Sequence, residues 1–400
     1  MRAAFMFLLG TSILAQVPPY RAEVTVSEVT LEITVTDRDG NPVTGLTADD
    51  LEILEEGKPV RVTYFREVDA SGTTAQKGLP APREPRTLFI FIDNDDIAES
   101  ARHRLFESLR VSSTELLEGG AGVFLFLWNG KLQAVKPKDA ATARDLLTKF
   151  EKDTRLVATA KARASSRRLG ASMTPELVAS IERTRSLDLI AALDAAARIA
   201  AKFPGRRIML LVSRGFRFPS PTSGDVDAIE RAAIAPLRDH ALAGSLPDVL
   251  FAPEILGLTG RDAATRTGIG DAAAAVANRF GIPVYGLFSG GLEAAAIGAR
   301  MDARGLPADP PPALVDHTTG SVADLAFRTG GTSFGAGLVF GPFLDSVARD
   351  LGHYYAVAYR AAAELRFRRL EIRPKNRAWV VRHREAAVPD DRPPAAERRP

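Results

Sequence analysis

Leu88-Phe89-Ile90-Phe91-Ile92-Asp93-Asn94-Asp95-Asp96-Ile97 decides the fold class of this chain. Large apolar residues follow one another without a polar alternate, the pattern of a short strand covered on both faces. The run stops abruptly on carboxylates. Val123–Trp128, Ile208–Val212 and Pro283–Phe288 repeat the pattern. The segments between them are helical. Ala98–Leu117 presents Leu105, Phe106, Leu109, Leu116 and Leu117 on one broad face, and Asp139–Phe150 reads as a second helix. In Asp188–Phe203, the residues Leu189, Leu193, Ala196, Ala200 and Phe203 recur at spacings of four and three, the mark of an amphipathic helix. Ser321-Val322-Ala323-Asp324 is a capping box for a further helix closed by Gly330-Gly331. Leu344, Val347 and Leu351 face inward on a last one. Strands alternating with helices predict an α/β fold, a doubly wound, mostly parallel sheet in three layers over residues 86–352. Ligands of such sheets bind beyond the carboxyl ends of the strands. Here that edge carries the acidic loop, the segment after Val212 and the loop after Phe288.

Outward from this core the chain turns to antiparallel patterns. Val29, Leu31, Ile33 and Val35 alternate with polar residues, a strand with one buried face. Residues 24–68 form an N-terminal β segment too small to bury a core alone. A linker rich in Gly, Pro, Ala and Thr covers 70–85, and strands return over 353–384. The two β segments are expected to pack together as one small β-sandwich-like module. Residues 385–400, rich in Pro and Arg, are expected to be a disordered tail. The loops 215–268 and 290–320 are long, and loops of that length are functional or disordered.

Composition limits the chemistry. The 400 residues are 46% hydrophobic and 25% charged, with a net charge of +3, so no global field steers nucleic acid toward the chain. There is no cysteine, which excludes disulfides, thiolate nucleophiles and Cys-based zinc sites. Residues 1–15 read as a signal peptide: Arg2, then the apolar run Ala3–Leu14, with Ala15 before the cut. The expected location is periplasmic or secreted, where no ATP or NAD pool is maintained. No other segment is apolar for long enough to span a membrane.

At the acidic loop, Asp93 and Asp95 stand two apart beyond a buried strand and offer oxygen ligands suited to Mg2+ or Ca2+. Asp96, Ser186, Ser213 and Arg214 are candidates for the same binding edge. Several stretches resemble the von Willebrand factor A-like (VWA) proteins, in particular the VWFA-related group abundant in Acidobacteria. They are the acidic strand end, Ile282-Pro283-Val284-Tyr285-Gly286-Leu287-Phe288-Ser289-Gly290-Gly291-Leu292, Ala326-Phe327-Arg328-Thr329-Gly330-Gly331-Thr332-Ser333-Phe334, Asp350-Leu351-Gly352-His353-Tyr354-Tyr355-Ala356-Val357-Ala358-Tyr359, and the N-terminal Thr34–Ile53. The resemblance spans most of 24–384. It implies a metal-ion-dependent adhesion site, with Asp-x-Ser-x-Ser after the first strand, a Thr before a later helix and an Asp after the fourth strand. The first motif aligns as Asp93, Asp95 and Ile97, the Thr position falls at Thr184 or Ser186, and the late Asp falls at Arg214. Ile97 has no ligand oxygen and a guanidinium opposes a cation, so the implied site is degenerate. An Asp93–Arg214 ion pair is the alternative to metal. The resemblance thus implies a non-enzymatic binding or scaffold protein that engages a protein partner. The same loop also resembles, more loosely, the first motif of haloacid-dehalogenase-like phosphatases. There Asp93 would attack phosphorus, Asp95 would act as acid and base, Mg2+ would bridge them, and Asp271 would supply the later acidic motif.

Overall fold

The computed structural model describes residues 26–69, 84–94, 97, 99–152, 175–216, 268–289, 318–334, 339–362 and 368–387. Residues 1–15, read from sequence as a signal peptide, residues 70–83 of the expected linker, Asp95, Asp96 and nearly all of the two long loops lie outside the described residues. The chain is mixed α/β, with one mostly parallel sheet and two antiparallel sheets.

The parallel sheet is built on β5 (Arg86–Asp93). It pairs in parallel with β6 (Gly122–Trp128) on one side and β8 (Arg206–Ser213) on the other. β9 (Val284–Phe288) and β10 (Ser333–Phe334) extend the β8 side, and β7 (Leu132–Val135) closes the β6 side antiparallel. The order is β10-β9-β8-β5-β6-β7. Strand order therefore reverses at β5, between β6 and β8.

Alternation along these apolar strands makes two cores. Leu88, Ile90 and Ile92, with Val123, Leu125, Leu127, Ile208, Leu210 and Val212, face a cluster holding Leu105, Phe106 and Leu109 of α1 (Glu99–Glu118). Leu147 of α2 (Ala140–Lys152) and Leu344 of α6 (Gly341–Gly352) complete it. Phe89, Phe91, Phe124 and Phe126 face a second cluster. Its helical side is small: Ala192, Ala196 and Ala200 of α3 (Pro175–Ala200) and Ala273 and Ala277 of α4 (Gly268–Arg279). Leu325 of α5 (Thr318–Arg328) joins it. Large rings from the sheet meet alanines from the helices, so each volume fills the other's gap. Each such large side chain contributes roughly 1.5–3 kcal/mol on burial, which is why these strands carry no polar alternate.

Two helix starts differ from the sequence reading. α3 begins at Pro175, not at Asp188, so Thr184 and Ser186 lie inside the helix rather than before it. α5 begins at Thr318, which puts Ser321 inside the helix, and its hydroxyl accepts the Phe216 backbone N–H at 2.9 Å. That tertiary bond is invisible to a local capping pattern. The end of α5 follows the expectation. Gly330 takes φ +84°, Gly331 N–H donates to Ala326 and Gly330 N–H to Phe327, a Schellman closure.

The β segments join in two antiparallel sheets. β1 (Val26–Thr36) pairs with β11 (His353–Ala362), from Val26 opposite Ala362 to Ile33 opposite Tyr355. β4 (Val62–Asp69) flanks β11, and β13 (Val380–Arg382) flanks β1. The second sheet has the order β14-β12-β2-β3, from Ala386–Ala387, Arg368–Pro374, Leu51–Glu55 and Lys58–Pro59. Val29, Leu31, Ile33 and Val35 share one buried cluster with Leu51, Ile53, Tyr355, Val357, Leu370 and Ile372. Regular structure runs past the expected boundary at 385. β14 pairs with Arg368–Arg369, and the Glu385 N–H donates to the Arg328 carbonyl. Only 388–400 of the expected tail lies outside the described residues.

This β module sits against the amino ends of the parallel strands. Arg206, at the start of β8 and 1% exposed, donates to Glu32 Oε2 at 2.6 Å and lies 4.5 Å over the Tyr354 ring. The Tyr285 hydroxyl and Arg382 both donate to Asp350 Oδ2, at 2.6 and 2.7 Å. Burial, with Asp350 beside it, pushes the Tyr285 hydroxyl above its ordinary range and keeps it a donor. The carboxyl edge is left facing the other way.

Candidate functional site

The acidic turn sits at the carboxyl ends of β5 and β8, where the strand order reverses and open α/β sheets form their crevice. Strand alternation settles which way Asp93 points. It continues Phe89 and Phe91 toward the face covered by α3, and its side chain is wholly buried. Its Oδ2 accepts two bonds, one from Arg185 of α3 at 2.8 Å and one from the Ser213 hydroxyl at 2.8 Å. Ser213 in turn accepts the Gly215 N–H at 3.0 Å. Gly215 takes φ +89°, so the turn leaving β8 depends on a residue without a side chain. Arg185 also reaches the Gly215 carbonyl at 3.4 Å. One guanidinium thus joins the end of β5, the end of β8 and the middle of α3.

A second arginine holds the next residue from the opposite face. Arg102 of α1, 5% exposed, donates to Asn94 Oδ1 at 2.6 Å and to the carbonyls of Phe150 and Glu151 at 2.9 and 3.2 Å. Those carbonyls belong to the last turn of α2, where a cation is favoured by the helix dipole. Arg102 also lies over the Phe106 ring at 5.0 Å. Burial pushes the Glu151 carboxyl up, but hydrogen bonds from Arg110 and His103 outweigh this and hold it below its usual range.

The structure rearranges the sequence-derived site. The guanidinium on Asp93 belongs to Arg185, whereas the resemblance pointed to Arg214, which sits half-buried on the turn after β8. Ser186 and Ser213, two of the binding-edge candidates, are wholly buried, and the Ser213 hydroxyl is engaged by Asp93. Asp95 and Asp96 lie outside the described residues. Ile97 is buried in the α1-side core and offers no oxygen. Among the described residues, no group of three or more His, Asp or Glu side chains is placed to hold a metal. The phosphatase motif fares differently again. Gly268–Ile269 and Asp271 belong to a helix rather than to a strand and its exit, and Asp271 pairs with Arg328 at 2.7 Å.

The sequence reading missed Arg102 and Arg185 as residues that hold this turn, yet a signal for both is present. Arg185 stands four before Leu189 on the apolar stripe of α3, and Arg102 three before Leu105 on that of α1. A cation on a buried helical face calls for a buried anion or carbonyl to meet it. No family model, curated protein or solved structure matches the chain. Among the described residues, no helix is long and apolar enough to cross a membrane.

Proposed function

We propose that this chain is an exported binding or scaffold protein of the VWA-related kind, with a doubly wound α/β layer and a degenerate, metal-free adhesion site at its carboxyl edge. The observation that carries this reading is the Asp93–Arg185 bond. The carboxylate that would lead a metal site is buried and already matched in charge by a guanidinium of its own chain. A cation entering there would have to displace Arg185, leaving a side chain only 13% exposed without its counter-charge. The same pairing speaks against Asp93 as a nucleophile, since its Oδ2 lone pairs are directed at Arg185 and Ser213. What remains for recognition is the neighbourhood of Arg214, half-buried on the turn after β8. A protein partner fits this location, because the opposite edge is occupied by the β module.

The test is a thermal melt of the full chain in EDTA, Mg2+ and Ca2+, together with hydrolysis of p-nitrophenyl phosphate. The expected result is one melting temperature in all three and no turnover. A saturable rise with either cation that Asp93→Asn removes would overturn the metal-free site. Mg2+-dependent hydrolysis abolished by Asp93→Asn would establish the phosphatase reading.

A further inference from the structure

The edge strands of the three sheets are not alike. β3 is two residues long and contains Pro59, β10 and β14 are two residues each, and β13 is three. β7 has four residues, bracketed by Lys131 on one side and Lys136-Pro137-Lys138 on the other. Brevity, lysine and proline are the devices that stop a sheet edge from pairing with another chain. β4 has none of these three, and its pairing with β11 shifts register only at Thr63. Val62-Thr63-Tyr64-Phe65-Arg66-Glu67-Val68-Asp69 is eight residues long, with no lysine, proline or glycine. It ends its sheet beside β11, and among the described residues no strand pairs with its other side. Among the described residues, Tyr64, 45% exposed, is one of five large apolar side chains left in solvent.

We propose that β4 is the docking edge for a second copy of this chain, the two β4 strands running antiparallel about a two-fold axis at Phe65. The sequence is self-complementary in that register. Phe65 meets Phe65 of the second copy, and Tyr64 meets Arg66 on either side of it. No like charges face each other. Tyr64 of one copy then lies across the half-exposed Arg66 side chain of the other, whose guanidinium pairs with Glu84 of its own chain. Moving the axis one residue, to Arg66, sets Arg66 against Arg66 and Phe65 against Glu67, so the alternative register is penalised. The irregularity between Ala358 and Tyr359 bends the pairing near Thr63, which leaves Tyr64, Phe65 and Arg66 to set the register. Two-fold symmetry makes the Tyr64–Arg66 contact twice. One strand pair falls short of the roughly 1,200 Å² of a stable interface, so the association depends on concentration.

The chain has no cysteine, so an introduced one is unique. Tyr64→Cys protein mixed with Arg66→Cys protein is oxidised gently, with Val111→Cys, on exposed α1 surface, as the control. Sedimentation velocity follows the unmodified chain and Tyr64→Lys over a range of concentration. The expected results are a 64-to-66 crosslink well above the control, and a dimer that Tyr64→Lys weakens about tenfold with its melt unchanged. A monomer at every concentration, a crosslink no better than the control, or a dimer indifferent to Tyr64→Lys would each overturn the proposal.

Discussion

The two edges of the parallel sheet use the same residue type for different ends. At the amino edge, arginines bind one module to another. Arg206 reaches Glu32, Arg382 reaches Asp350, and Arg384 spans from the Asn278 carbonyl on α4 to the Thr30 carbonyl on β1. Arg328 answers from the α/β side by pairing with Glu385. At the carboxyl edge, Arg102 and Arg185 stay within the α/β layer and hold the turn from inside. The amino edge is spent on assembly. The carboxyl edge is braced without being covered by the β module, which is the condition a recognition rim needs.

Breaking the amino edge should have the larger effect. Arg206→Ala removes a guanidinium that is 1% exposed and leaves Glu32, 23% exposed, without its partner. The loss should be about 3 kcal/mol of unfolding free energy by guanidinium chloride titration, because one member of a buried pair is left behind. Arg206→Met with Glu32→Gln should recover much of it, since the pair as a whole is worth far less than the penalty for halving it. A single variant within a few tenths of wild type would mean that the modules are held by the shared strands and apolar contacts alone.

The difference between the edges also explains what could be read beforehand. The strands from Leu88 to Ile92 and from Ile208 to Val212 announce themselves, because burial on both faces leaves no room for polar residues. The strand pattern of Val29, Leu31, Ile33 and Val35 was equally plain, since one face is buried against the second sheet. What could not be read was which long-range polar partner meets which. Asp93 lies far from both Arg185 and Arg214 in sequence, and motif resemblance alone pointed to the second. The choice follows from strand alternation, which aims Asp93 at α3, combined with the helical register that aims Arg185 back. Local capping rules failed at Ser321 for a related reason. Its hydroxyl is claimed by the Phe216 N–H, a contact of long sequence separation.

At the carboxyl edge, Asp93→Asn should cost about 2 kcal/mol in the same titration, less than Arg206→Ala. The amide keeps an acceptor for Ser213 but leaves the Arg185 charge without its carboxylate. Combining it with Arg185→Met should cost less than Asp93→Asn alone. If the double variant instead costs the sum of the two, the carboxylate and the guanidinium act independently, and the Asp93–Arg185 bond is not what holds the turn.

The smallest effect should separate the edges by acidity. His383 follows β13, close to the Gly330 turn, where a Cβ on Gly330 would lie 2.7 Å from the His383 carbonyl carbon. Its Nδ1 lies 2.7 Å from the Arg384 carbonyl and must carry the proton, while Nε2 accepts the Ile372 N–H at 3.3 Å. A second proton would turn that acceptor into a donor facing a donor. Burial holds the imidazole below its ordinary value of 6.5, against the pull of the Arg384 carbonyl and of Glu371. The contribution is therefore complete above about pH 6.5 and is lost as pH falls toward the lower folded value. Unfolding free energy measured from pH 8 to 5 should decline through that window. His383→Gln should be less stable at pH 8 but show a shallower decline, with His103 and His353 unchanged as the common background. An unaltered slope would mean that the amino edge does not sense acid through His383, and the two edges would then differ in packing only.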